Sequence, residues 1–222
     1  MPPWWNWQTQ YYMYPKTKQI IWSSDLAYAI GLITTDGNLS PDRRHFDFTS
    51  NDIKLIETFK SCLNIKNKIA RKKSTYTNKY SSFRIQFGNV TLYKFLLGIG
   101  LMPNKSKRLK SLKVPDKFFF DFLRGHLDGD GSIKKYYDPV CKNSRRLYID
   151  FLSASLPHII WIKNKIKKLL HINGFTRKTI NKIYSLTFSK RDSILLLGYI
   201  YYNDGLPRLE RKFTIAKEFI QI

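Results

Sequence analysis

The sequence predicts a duplicated α+β fold, in which one unit of helix, hairpin, helix, hairpin, helix (αββαββα) is used twice about a pseudo-two-fold axis. Three observations predict it. The stretch "AIGLITTDG" at 29–37 returns as "LRGHLDGDG" at 123–131, with Gly31 matching Gly125 and Asp36-Gly37 matching Asp130-Gly131. The segments that follow repeat in the same order, at offsets of 94 (Gly37/Gly131), 103 (Asp47/Asp150), 101 (Phe87/Phe188) and 100 (Gly98/Gly198). In both copies the apolar period switches between that of a strand and that of a helix at the same points.

Taken in order, the first helix runs into Asp36-Gly37 and is followed by "HFDFTS", an alternating strand. "NDIKLIETFKSCLNI" is an amphipathic helix ending in Leu-x-Ile, "SFRIQF" (82–87) a second strand, and the apolar helix after it contains Leu-Leu-Gly at 96–98. The basic segment "MPNKSKRLKSLKVPDK" (102–117), bracketed by Pro103 and Pro115, reads as a linker. The second copy then repeats the order: "LYIDFLSASLPHIIWIKNKIKKLLHI" is a strand and an amphipathic helix, "IYSLTF" (183–188) a strand, and Leu-Leu-Gly recurs at 196–198. Because the offset jumps from 94 to 103, the second copy's first hairpin is nine residues longer, around "KKYYDPVCKNSRR". The expected divisions are an extension (1–21), a first half (22–101), a linker (102–116) and a second half (117–222).

Composition bounds the function. The 222 residues hold 39 Lys and Arg against 16 Asp and Glu, a formal net charge of +23, with 43% apolar residues for a core. Such an excess points to a polyanion. The longest apolar run, Ile194 to Tyr202, is about half of a membrane-spanning helix, and no secretory signal opens the chain. Cys62 and Cys141 provide neither a disulfide framework nor a zinc spacing. An intracellular, nucleic-acid-associated protein is expected.

Alternation assigns faces to the strands. Phe46, Phe48, Phe83, Ile85, Phe87, Leu147, Ile149 and Phe151 point to the helices, and their neighbours point away. In the first half the outward candidates for DNA contact are Ser40, Arg43, Arg44, His45, Asp47, Arg84 and Gln86, with Arg71 and Lys73 from the basic run 66–73. In the second half they are Lys134, Tyr136, Arg146, Tyr148, Asp150, Lys178 and Lys182. Arg, Gln and Asn on such a face suit base edges in a groove.

The paired glycine-acid segments have a physical logic of their own. Gly31 and Gly125 allow two helix backbones to cross nearly in contact, which brings Asp36 and Asp130 together. A helix C-terminus already carries partial negative charge, so two carboxylates there require a cation. Hard oxygens from the two halves suit Mg²⁺, with Mn²⁺ or Ca²⁺ as alternatives, and a metal site of this kind suits phosphodiester hydrolysis.

The nonapeptides, their spacing, the order of elements over residues 22–222 and the ending "LPRLERKF" resemble the LAGLIDADG homing endonucleases in their single-chain, two-motif form. The resemblance implies saddle-shaped antiparallel sheets and a monomeric, Mg²⁺-dependent enzyme that makes a double-strand break in a long double-stranded DNA target. It implies Asp36 and Asp130 as the catalytic acids, with the Thr35 and Gly129 carbonyls as further metal ligands. Asp128, which has Thr34 in its place in the first copy, is implied to cap or pack. Family members often carry Gln or Lys near the end of the first hairpin. Here those positions read Thr49-Ser50-Asn51 and Leu152-Ser153-Ala154, leaving Gln86 and Lys190 as the accessory catalytic candidates. The alternatives are an RNA maturase, or a cleavage-dead DNA-binding regulator; retention of both acids opposes the second.

The opening "MPPWWNWQTQ" has no copy in the second half. Back-translated as CCC CCG TGG TGG AAT TGG CAG ACA after the start codon, it resembles the 5′ end of a bacterial-type leucine tRNA gene. That suggests an intron-encoded reading frame that begins in a tRNA exon, and a leucine tRNA gene as the target.

Overall fold

The computed structural model describes residues 19–73, 80–179 and 182–220. The N-terminal tRNA-like stretch lies outside them. Each half is a four-stranded antiparallel sheet backed by helices. The first is α1 (Ser24–Thr35), β1 (Gly37–Leu39), β2 (His45–Ser50), α2 (Ile53–Cys62), β3 (Ala70–Lys73), β4 (Tyr80–Gly88) and α3 (Val90–Ile99). The second is α4 (Phe119–Asp130), β5 (Ser132–Tyr137), β6 (Arg145–Ser153), α5 (Leu156–Leu170), β7 (Phe175–Lys178), β8 (Tyr184–Phe188) and α6 (Lys190–Ile200), followed by α7 (Glu210–Lys217). The strand orders are β1-β2-β4-β3 and β5-β6-β8-β7, the same arrangement twice.

Local chemistry sets the boundaries. Ser23 caps α1 by accepting from the Leu26 N–H at 3.1 Å, and Asp52 and Asn89 cap α2 and α3 in the same way. Gly100 ends α3 at φ +107°, a left-handed geometry that suits glycine. The longer second hairpin is visible directly: β5 has six residues where β1 has three. Asp138 closes its tip by accepting from the Val140 and Cys141 N–H groups, both at 2.9 Å.

Packing follows the predicted alternation. Phe46, Phe48, Ile85, Phe87, Leu147, Ile149 and Phe151 are all buried against helices, and Phe83 is half-buried. Register places Phe46 opposite Phe87 and Asp47 opposite Gln86, so each apolar pair faces inward and each polar pair outward. The segment 102–116, expected as a linker, is built into the core. Leu109, Leu112 and Val114 are buried, and the Leu109 and Lys110 carbonyls accept from Ser155 and His158 of the second half.

The centre of the molecule is the contact between α1 and α4. A Cβ on Gly31 would collide with the Phe122 carbonyl oxygen, and one on Gly125 with that of Tyr28. The two backbones therefore touch at these points, a separation only glycine allows.

Candidate active site at the paired helix ends

Because α1 and α4 cross at their glycines, their C-termini emerge side by side. Asp36 follows the last residue of α1, and Asp130 is the last residue of α4. A Cβ added to Gly129 would lie 2.9 Å from Asp36 Oδ2, so the second half's turn is pressed against the first half's acid. Burial, and then the Asp130 charge, raise the Asp36 pKa to about 6. Asp130 opens to solvent, yet loss of hydration raises its pKa as well. Two carboxylates held so close, at the negative ends of two helices, form a site short of positive charge.

Two lysines answer part of that deficit. Lys212 of α7 is buried and donates to the carbonyl oxygens of Leu127 (2.5 Å), Asp128 (2.9 Å) and Gly131 (2.7 Å), the exposed end of α4. Lys105 is also buried and donates to the Gly37 carbonyl, at the end of α1. Burial lowers each lysine to about 8, and the nearby acids oppose that shift. One lysine thus holds the chain at the end of each motif helix, Lys105 of the segment 102–116 beyond α1 and Lys212 of the second half at α4. The sequence reading did not single these two out; the available signal was a basic segment following the third helix of each half, at "PNKSK" and "LERKF".

Asp128 is a different kind of acid. It is fully enclosed, accepts from the Tyr28 hydroxyl at 2.9 Å and the Leu209 N–H at 2.8 Å, and so ties α4 to α1 and to the start of α7. Thr34, at the matching position in α1, instead donates to the Ile30 carbonyl at 2.7 Å.

A hollow opens on each side of the acids. One, of about 630 Å³, is lined by Asp36, Thr49, Ser50, Asn51, Asp52, Ser82, Gly129 and Arg211. The other, of about 250 Å³, is lined by Thr35, Lys105, Ser106, Asp130, Leu152, Ser153 and Ala154. The ends of β2 and β6, the stretches that the family resemblance pointed to, therefore line the hollows beside the acids. Gln86 and Lys190 line neither hollow. Gln86 is exposed on β4 beside Asp47, and Lys190 is exposed at the start of α6.

The sheets and their turns carry the remaining candidates. Arg84 pairs with Asp47, and Arg146 donates to Asp138 at 2.6 Å. Arg43 has φ +62° in the β1–β2 turn, where Asp42 holds His45 at 2.5 Å and accepts from the Arg44 N–H. The Ser40 carbonyl accepts from Tyr93. Tyr136 and Tyr148 stack at 5.8 Å, while Arg71, Lys73 and Lys178 lie over the rings of Phe83, Tyr80 and Tyr184. Lys182, at φ +58°, is exposed in the β7–β8 turn. Asp150 differs from its expected role: it is 3% exposed and accepts from Lys134 (2.7 Å), Thr187 (2.5 Å) and Ser132 (3.2 Å). Three donors consume its oxygens and hold its pKa down, so it organises the sheet face from within.

No protein-family model and no curated protein matches the chain. Solved structures do match it. The homing endonuclease I-WcaI bound to its DNA recognition sequence aligns with a TM-score of 0.62 at 14% identity, over 96% of this chain and 97% of that one. The chain has the LAGLIDADG fold. Mesophilic variants of the homing endonuclease I-DmoI align at 0.54 and 17% identity, over 83% of this chain and 94% of theirs. Full-length DUF199/WhiA from Thermatoga maritima aligns at 0.55 and 17% identity, over 92% of this chain but 64% of that one. What is shared at these identities is the LAGLIDADG fold, including two four-stranded sheets on a central helix pair. No described helix is long and apolar enough to cross a membrane.

The acid pair passes a test of fit for a divalent cation. Among the described residues no cluster of three or more His, Cys, Asp or Glu side chains occurs, so a site rich in nitrogen or sulfur ligands has no support. Two hard carboxylates in a charge-deficient cleft suit a hard divalent cation with further oxygen ligands.

Proposed function

We propose that this chain is a site-specific DNA endonuclease that acts as a monomer and makes a double-strand break by cation-dependent phosphodiester hydrolysis. The observation that carries the reading is the close approach of Asp36 and Asp130 from opposite halves, between two hollows and beside basic sheet faces. The similar homing endonuclease I-WcaI is bound to its DNA recognition sequence, which supports DNA as the partner.

Asp36 and Asp130, with the Thr35 and Gly129 carbonyls, would hold Mg²⁺, which when bound offsets the paired charges and supplies Lewis acidity toward phosphate oxygen. Lys105 and Lys212 fix the helix ends so that both carboxylates stay aimed at the cleft. In each strand the oxygen of one water joins phosphorus and one phosphorus–oxygen ester bond breaks. One water proton goes to the leaving oxygen and the other to solvent. Arg84, Gln86, Arg146 and the Tyr136–Tyr148 pair face outward where base edges would lie, with Arg71, Lys73, Lys178 and Lys182 toward phosphates.

The proposed target is an intronless leucine tRNA gene, as the back-translated opening suggests, with this chain encoded by the intron that would interrupt it. Asp36→Asn or Asp130→Asn should abolish double-strand cleavage, in Mg²⁺, of a site recovered from a randomised duplex library, while leaving affinity largely intact. Near wild-type cutting of both strands by either variant would overturn the two-acid assignment. A library yielding only sites unrelated to leucine tRNA genes would remove that target alone.

A further inference from the structure

We infer that Arg211 is a catalytic residue for one DNA strand only, so that the strand seated beside Asp36 is cut first and the duplex is nicked before it is broken. This rests on the endonuclease reading above.

The two halves are related by pseudo-symmetry, but the two hollows are chemically unequal. The wall beside Asp36 sets Thr49, Ser50, Asn51, Asp52 and Ser82 among Ile53, Leu55 and Phe83. The wall beside Asp130 includes Leu109, Leu152, Ala154 and Ile183, and its volume is less than half as large, about 250 against 630 Å³. Their cations differ more. Lys105, in the smaller hollow, is buried and already donates to the Gly37 carbonyl. Arg211, in the larger one, has a side chain 64% exposed, with Asp52 Oδ2 at 3.8 Å from Nε, beyond hydrogen-bond length.

The backbone that carries Arg211 is nevertheless rigid. Lys212, the next residue, is clamped onto the end of α4, and the Leu209 N–H donates to Asp128 at 2.8 Å. A fixed base with an exposed guanidinium, held only by a 3.8 Å ion pair to Asp52 and set from the second half at the first half's hollow, is suited to forked contact with phosphate oxygens. Negative charge gathers on those oxygens during hydrolysis, so a cation placed there accelerates the step it faces. The hydrolysis that Arg211 faces is the one beside Asp36. The smaller hollow offers no comparably exposed cation among the described residues that line it.

The test uses the full chain and a recovered target on a supercoiled plasmid, with each strand followed separately. Wild type should pass through an open-circular intermediate nicked in one strand. Arg211→Gln should slow that strand by on the order of 10- to 100-fold while the other strand keeps its rate, which also reports that the variant is folded. Arg211→Lys should recover part of the lost rate. In metal-free buffer, Arg211→Gln should lower the slope of log affinity against log salt by about one phosphate contact. Equal slowing of both strands, or simultaneous cutting with no nicked intermediate, overturns the inference and leaves the endonuclease reading in place. Cutting of neither strand by wild type overturns both.

Discussion

Tyr28 of the first motif helix donates its hydroxyl to Asp128 of the second at 2.9 Å, and both side chains are shut from solvent. Burial raises the Asp128 pKa to about 6, and burial together with the Asp128 charge raises Tyr28. Asp128 Oδ1 has no hydrogen-bond partner among the described residues, so the Tyr28 and Leu209 bonds carry its solvation. Tyr28→Phe should therefore destabilise the protein by about 1–3 kcal/mol, because it removes one of the two donors to a buried carboxylate. Urea unfolding would show it; a change within about 0.5 kcal/mol would mean that Asp128 does not depend on this bond.

The glycine crossing should tolerate no side chain. Gly31→Ala and Gly125→Ala each place a methyl group on a backbone carbonyl of the opposite helix, which cannot swing aside as a side chain would. Each should cost about 3 kcal/mol or more, at or above the upper end of ordinary overpacking. Gly98→Ala and Gly198→Ala, where a Cβ meets nothing within 4 Å, are the matched controls, and should be neutral or slightly stabilising. Equal melting temperatures across the four variants would show that the helices do not meet at Gly31 and Gly125.

A buried histidine pair sets acid sensitivity. His126 and His158 stack at 5.4 Å between Phe122, Phe151 and Trp161, and the His158 Nδ1–H donates to the Lys110 carbonyl at 2.9 Å. Burial lowers His158 to about 4 and His126 well below its ordinary value. The unfolded chain then binds protons that the folded chain refuses. The histidines' contribution to stability is full above about pH 6.5 and should fall by about 1.4 kcal/mol per pH unit per histidine below it, while Asp36 and Asp128, both raised to about 6, oppose that fall. His158→Asn, which keeps a donor toward Lys110, should remove about one proton from the slope. Urea titrations of wild type and His158→Asn at several pH values measure it, and identical slopes for the two between pH 7 and 5 would exclude His158 as a source.

DNA affinity should fall linearly with salt on a log-log scale, as release of phosphate counterions requires. Arg84→Ala and Arg146→Ala should each cost roughly 1–3 kcal/mol and relax base preference at one position. Each also leaves an acid behind, Asp47 or Asp138, so loss should exceed that of the double variants Arg84→Ala/Asp47→Asn and Arg146→Ala/Asp138→Asn. Filter binding over the recovered site and its single-base variants distinguishes the outcomes: uniform weakening would mark these arginines as phosphate contacts.

The sequence by itself determined the duplication, the inward phenylalanines of the strands and the glycine-acid ends of α1 and α4. These are legible because strand and helix periods, and the steric demand of a backbone crossing, are local properties of a few residues. Only the tertiary structure decided which of 39 cations reach the acids. Lys105 returns across 68 residues to Gly37, and Lys212 across 81 to Gly131, by way of chain reversals that no local period records. The same reason explains Asp150. Alternation places it correctly on the outward side of β6, but Lys134 and Thr187 from the flanking strands close over it. It also explains the segment 102–116, whose prolines and lysines read as a linker and whose Leu109, Leu112 and Val114 are buried in the core. Burial is a property of what packs against a residue, and those neighbours lie far away along the chain.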